Sequence, residues 1–226
     1  MLIKYGWVFL CGTVVGFFAN SIFFASAPSL DSAPQISVKV NPLETSSIQT
    51  NYELIQVKQY IDQQRVDLTI NALTSRQFTA SQLSVLMHYL KSHLIDLAKN
   101  KSWSILGDWL QAMELGGLAD SDIYRLKAQR LLAAGHYQKG LEAFFIAKDM
   151  ASSQQEQNKI VKEIESALNQ LINLFSQQAL ALSNEEIQQL FIYAQQQLQE
   201  YIPISIMLAN IYEQQGEIQK ALDALA

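Results

Sequence analysis

The chain has 226 residues, 16 basic and 21 acidic, for a net charge of −5, and no basic block appears anywhere along it. That balance argues against nucleic acid and anionic lipid surfaces as electrostatic partners. The one cysteine, Cys11, falls in an apolar leader, so the remainder carries no thiol chemistry and can form no internal disulfide.

Residues 1–27 hold a single charged side chain, Lys4, and from Tyr5 to Ala27 there is none. Wound as a helix with about 1.5 Å rise per residue, that run crosses a hydrocarbon core of roughly 30 Å, which predicts a transmembrane signal-anchor touching the lipid bilayer through residues 5–27. The small-x-small ending Ala25-Ser26-Ala27 also fits a cleavable secretory signal. Pro28 would then follow the scissile bond, where its fixed φ and missing N–H oppose the extended pose a peptidase needs. The positive start and the first downstream charge, Asp31, orient the anchor with its start cytoplasmic. The expectation is a single-pass protein of a bacterial inner membrane with its C-terminal domain in the periplasm, the alternative a secreted or periplasmic protein after cleavage. Leu10-Cys11 makes a poor lipid-attachment site, because Val8 and Phe9 before it are bulky.

Three of the four prolines, Pro28, Pro34 and Pro42, sit close behind the anchor in a Ser/Pro-rich stretch, so residues 28–50 read as a flexible linker. From 51 to 226 strand signals are nearly absent and the expectation is all-α. Leu83, Leu86, Leu90, Leu94 and Leu97 form one stripe at three-four spacing; Ile160, Ile164, Leu168, Leu171 and Phe175 form another. A third runs through Ile187, Leu190, Phe191, Ala194 and Leu198. Thr50 with Glu53, Thr79 with Gln82, Ser153 with Glu156 and Ser183 with Glu186 have the spacing of a capping box, in which a hydroxyl bonds the third helical N–H and the acid or amide there reaches back. Gly116-Gly117, Gly135 and Gly216 mark turns. These signals predict eight or nine helices, including a longer one near 154–181, packed as antiparallel hairpins.

Within residues 122–149, Tyr124, Ala128, Leu131, the turn Gly135-His136-Tyr137, Gly140, Phe144 and Ala147 occupy aromatic, small and turn places in a fixed order. Leu208, Ala209, Tyr212, Gly216, Ile218, Ala221 and Leu225 fall on matching offsets, with Pro203 near the helix start. Ala128 with Gly140, and Ala209 with Ala221, let two helices approach closely while the aromatics fill the space around them. Both stretches resemble a tetratricopeptide repeat. Lys127 departs from it by taking a usual leucine place, and the interval from Ala128 to Ala209 is no multiple of the roughly 34-residue period. Residues 154–200 look like a lengthened, degenerate pair, and residues 52–115 like one and a half helix pairs without the motif. The resemblance implies an α-solenoid whose inner side is lined by the first helix of each unit, presenting Arg125, Gln129, Asn210 and Glu213 to a protein or peptide. Ala221, Leu222 and Leu225 have no following element to cover them, which anticipates a C-terminal domain or a partner docking on the last helix.

Chemistry is sparse. His88 and His93 are about 140° apart around a helix and share no face, so no metal site is expected. There is no G-x-S-x-G elbow, no phosphate loop at Gly116-Gly117 and no exported cysteine. Glu163 and Glu165 read as a wet helix face, Glu185 and Glu186 as a helix-start charge, and no cofactor is expected. Trp103, Trp109, Tyr137, Phe145, Phe191 and Tyr193 stand at core spacing. The function anticipated is a membrane-anchored scaffold or adaptor in envelope assembly or quality control, not an enzyme in itself. The alternative is the N-terminal repeat segment of a longer membrane-anchored enzyme, such as a retropepsin-like aspartic protease, although no Asp-Thr/Ser-Gly occurs in the chain.

Overall fold

Helix starts in this chain follow from local chemistry. Thr79 and Ser183 each accept from the third helical N–H, of Gln82 and Glu186, whose side chains return a bond to the cap backbone, closing two full capping boxes. Ser153 accepts from Glu156 N, but Glu156 reaches back one residue further, to Ser152 N at 2.9 Å. Asp120 caps its helix through Ile123 N. The result, in a computed structural model that describes residues 42–75, 77–198 and 201–226 with side chains from residue 51, is helical throughout the described residues.

The ten helices there are α1 (Pro42–Asp62), α2 (Val66–Thr74), α3 (Ala80–Lys99), α4 (Trp103–Leu115), α5 (Ser121–Ala133), α6 (Tyr137–Asp149), α7 (Gln154–Ser176), α8 (Asn184–Gln197), α9 (Ile202–Gln214) and α10 (Ile218–Leu225). They settle into two rows: α1 packs on α3, α3 on α5 and α7 on α9, while α2 packs on α4 and α6 on α8. Two apolar clusters fill the space between rows. Val57, Ile61, Leu90, Leu94, Trp109 and Met113 anchor one, which ends with Ile123 and Leu126 on α5. Ala128 on the same helix begins the other, built on Phe144, Ile164, Leu168, Phe191 and Leu208.

Four hairpins, α1–α2, α3–α4, α5–α6 and α9–α10, share one turn. Each first helix ends on a left-handed residue: Gln64 (φ 57), Lys101 (φ 57), Gly135 (φ 79) or Gly216 (φ 77). The next N–H then bonds a carbonyl five residues back, Arg65 to Tyr60, Ser102 to Leu97, His136 to Leu131 and Glu217 to Tyr212, which is the Schellman closure. The second helix begins two residues past the left-handed one in all four. Gln178 (φ 54) closes α7 the same way, through Ala179 N to Leu174 O, but a longer link follows before α8.

Inside the α5–α6 hairpin the helices meet at Gly140. A Cβ there would lie 2.7 Å from both Leu132 Cγ and Cδ2 and 3.3 Å from the carbonyl oxygen of Ala128, itself fully buried. Phe144 and Ala147 are buried beyond it, and Tyr124, Leu131 and Tyr137 pack at the margin. In α9–α10, Leu208 and Ala209 are buried and Tyr212 packs alongside.

Several expectations change. The helix that was to start at Thr50 begins at Pro42 and runs through it, so Thr50 is interior and no cap; proline suits a first helical position because the N–H it lacks is unpaired there anyway. The stretch 42–50, expected as linker, is helical. Residues 52–115 form two complete hairpins, invisible as such because glutamine and lysine fill the turn positions where glycine is the signal. Leu225 stands on a repeat-packing offset yet is 57% exposed, and Ala221 is half-buried, in keeping with the expectation that no following element covers them. The apolar run 5–27 lies outside the described residues; among those described, no helix is long and apolar enough to cross a membrane.

Candidate functional site

The row of first helices opens between α5 and α7. There, among the described residues, extensive backbone packing gives way to a groove. Its middle is a hollow of about 400 Å³ bounded by α3, α5 and α7, with Leu126 and Ala98 at the base and Lys91, Arg125 and Lys159 around it. Asp122, Arg125 and Lys159 are shared with a wider hollow of about 830 Å³ at the start of α7, where Lys162 joins them. Gln129 is shared with a third hollow, of about 410 Å³, whose walls are Leu132, Tyr137, Phe144, Leu171 and Leu174. The first two are lined by charges of both signs, Glu156 standing with Lys159 and Lys162 at the start of α7, and the third is mainly apolar toward the end of that helix.

A chain of ion pairs crosses the groove wall from α3 to α7. Lys91 Nζ lies 2.5 Å from Asp120 and donates to Asp122 at 3.0 Å. Arg125 Nη1 donates to the other Asp122 oxygen at 2.9 Å, and its Nε to Glu163 Oε2 at 3.0 Å, with Nη2 donating to Glu163 Oε1. Burial acts to raise the Asp122 carboxyl, but the Lys91 ammonium and the Arg125 guanidinium outweigh it and hold it below the usual carboxylate range. Burial likewise acts to lower Lys91, yet the Asp120 and Asp122 carboxylates keep it above its ordinary value. Lys159 and Lys162 differ: both are exposed, and neither enters an ion pair among the described residues.

Of the four side chains expected to face a partner, the structure brings two to this groove. Gln129 is exposed at its centre. Arg125 lines it too, but three of its five N–H donors go to Asp122 and Glu163, whose carboxylates balance its charge, so it braces the wall. Asn210 lines a different hollow of about 400 Å³ with Phe175, Asn184 and Met207, and Glu213 is exposed on α9 one turn further on. Lys91, Lys159 and Lys162 were missed because three helices contribute the cations of the groove, and no run of basic residues betrays them.

Other candidates resolve into packing. His93 is half-buried with its ring edge-on to Trp109, centroids 6.2 Å apart, while His88 is exposed. Phe145 meets Tyr193 at 5.6 Å and Phe175 meets Phe191 at 6.5 Å, both edge-on. Lys127, at odds with the repeat pattern, donates to Glu114 at 2.7 Å across the α4–α5 link. Among the described residues no three His, Cys, Asp or Glu side chains gather where they could hold a metal ion.

No protein-family model matches the chain, and no curated protein or solved structure matches it. What the groove does must therefore follow from its own side chains.

Proposed function

We propose that this chain is a membrane-anchored, exported helical-repeat scaffold, an α-solenoid of tetratricopeptide-like hairpins that holds a protein or peptide partner in the bacterial envelope. The observation that carries the reading is the groove between α5 and α7, walled mainly by first helices and crossed by the Arg125–Glu163 pair. The repeat reading is supported by the four shared turns at Gln64, Lys101, Gly135 and Gly216. The anchor reading is supported by the uncharged run at residues 5–27. A docked element on α10 is supported by a register argument. Leu73, Leu110 and Phe144 stand nine residues past their turns and are buried, whereas Leu225, nine past Gly216, is exposed together with Ile218 and Leu222.

A photo-reactive phenylalanine analogue in place of Gln129, in the full-length protein in its native membrane, tests the binding role. A discrete protein adduct is expected there and none from Asp108, which is exposed on α4. Equal labelling from both positions, or from neither, would remove the groove as the binding site.

A further inference from the structure

The hairpins at the two ends of the array expose apolar side chains at places the inner hairpins bury, and each end presents a different half of one repeated contact. The left-handed turn residues Gln64, Lys101, Gly135 and Gly216 set a common register for the first helices. Twelve residues before the turn stand Tyr52 on α1, Tyr89 on α3 and Ile123 on α5. Tyr89 reaches back to the preceding first helix, its hydroxyl donating to Asp62 at 2.8 Å. Ile123, with Leu126 three residues on, is buried in the cluster that α1 to α4 build. On α1 the same places hold Tyr52 and Ile55, which are 66% and 56% exposed. They make the side that an earlier hairpin would cover. The opposite side appears ten residues before the turn, at Lys91 and Arg125, which bond the next first helix through Asp122 on α5 and Glu163 on α7. Ile206 has that place on α9 and is 48% exposed. On α10, Ile218 and Leu222 are exposed where, on α6, Tyr137 is half-buried and Leu141 fully buried.

We infer that copies of this chain join head to tail, the α1–α2 hairpin of one seating on the α9–α10 hairpin of the next, so that the contact made inside the array is repeated between molecules. This rests on the docked element proposed above for α10 and identifies it as a second copy. Residues that would face one another have changed together. Inside the array the Lys91–Asp122 pair joins places ten and thirteen before the turn. At the two ends these places hold Ile206 and Asn51, so neither brings an unmatched charge into the contact. Asp62, two residues before its turn, gives way to Gln214, whose amide oxygen can accept from Tyr52 as Asp62 accepts from Tyr89. Tyr52 and Ile55 then meet Ile206, Ile218 and Leu222, and the covered carbon supplies the attraction. Because the two surfaces differ, the contact is heterologous: each added copy carries a free head or tail, and assembly runs past two copies into a chain or a ring.

The test uses the full-length protein in a mild nonionic detergent, with the protein mass read by light scattering from about 0.1 to 100 μM, the range over which a micromolar contact fills. A head variant carries Tyr52→Glu and Ile55→Glu, and a tail variant Ile206→Glu and Leu222→Glu. All four positions are exposed, so both variants should keep the circular dichroism spectrum of the parent. The parent is expected to grow past two copies as concentration rises, while each variant alone stays a monomer. Mixed in equal amounts, the two variants should give a dimer and nothing larger, because one retains its tail and the other its head. A parent that is monomeric throughout, a parent that stops at two copies, or assembly of either variant by itself overturns the inference. A photo-reactive phenylalanine analogue at Leu222, in the native membrane, separates it from the reading it rests on. An adduct with a different protein and none with a second copy would keep the docked element and discard this identity for it; no adduct at all discards both.

Discussion

Arg125 reaches from α5 to Glu163 on α7 with two parallel donors, and it is the only side chain in the described ion pairs that ties those two helices together. Both partners are mostly shielded, the guanidinium 17% and the carboxylate 26% exposed, so the pair is worth more than a surface contact. Arg125→Ala should lower unfolding stability by about 1–3 kcal/mol, in part because Glu163 is left without its partner. Urea unfolding followed by circular dichroism measures it, and a cycle with Glu163→Gln isolates the coupling.

The same network makes stability depend on acid in a defined direction. Because the Asp122 carboxyl is held below its ordinary value in the folded chain, the unfolded chain takes up the proton first as pH falls. The contribution is fully present above the ordinary aspartate value near 4. It is lost as pH drops from there through the lower folded value. Thermal midpoints recorded from neutral pH downward should fall across that window, and Asp122→Asn should flatten the fall while lowering the midpoint at neutral pH. An identical acid slope in the variant would assign the effect to other carboxylates.

At the turns, Lys101 and Gln178 adopt a left-handed backbone that suits glycine. Lys101→Gly is expected to stabilise the chain by about 0.5–1 kcal/mol, relief of backbone strain exceeding the entropy added to the unfolded state. Gly135→Ala, at the matching place, should cost about 1 kcal/mol. Opposite signs at equivalent positions are the signature; chemical denaturation of the pair of variants reads it.

Close approach in the α5–α6 hairpin sets the fourth expectation. Gly140→Val puts branched bulk where Leu132 and the Ala128 carbonyl already crowd, and should destabilise by about 1–3 kcal/mol. An exposed position on the same helix, Lys139→Val, serves as the control for lost helix propensity.

Helix caps give the fifth. Ser183→Ala removes a bond from Glu186 N and should cost about 1 kcal/mol. Chemical denaturation reads it, and an unchanged midpoint would leave the cap without a role in stability.

Much of the body was legible because its signals are periodic or paired. The stripes at Leu86, Leu90 and Leu94 and at Ile160, Ile164 and Leu168 are buried as their spacing dictates, and two of the four capping boxes close in full. What escaped notice has a common cause. A left-handed turn filled by Gln64 or Lys101 carries no compositional mark, so the first two hairpins were unreadable until the hydrogen bonds from Arg65 and Ser102 were seen. Arg125 looked available because its acceptors, Asp122 three residues away and Glu163 on another helix, become partners only when α5 and α7 face one another.

One stretch of α5 divides its duties: Ile123 and Leu126 belong to the cluster before it, Ala128 to the cluster after. A chain assembled this way cannot release one half without disturbing the helix the other half leans on. Melting begun at either end should therefore stall at α5, which becomes the keystone of the array and the place where slow amide exchange persists longest.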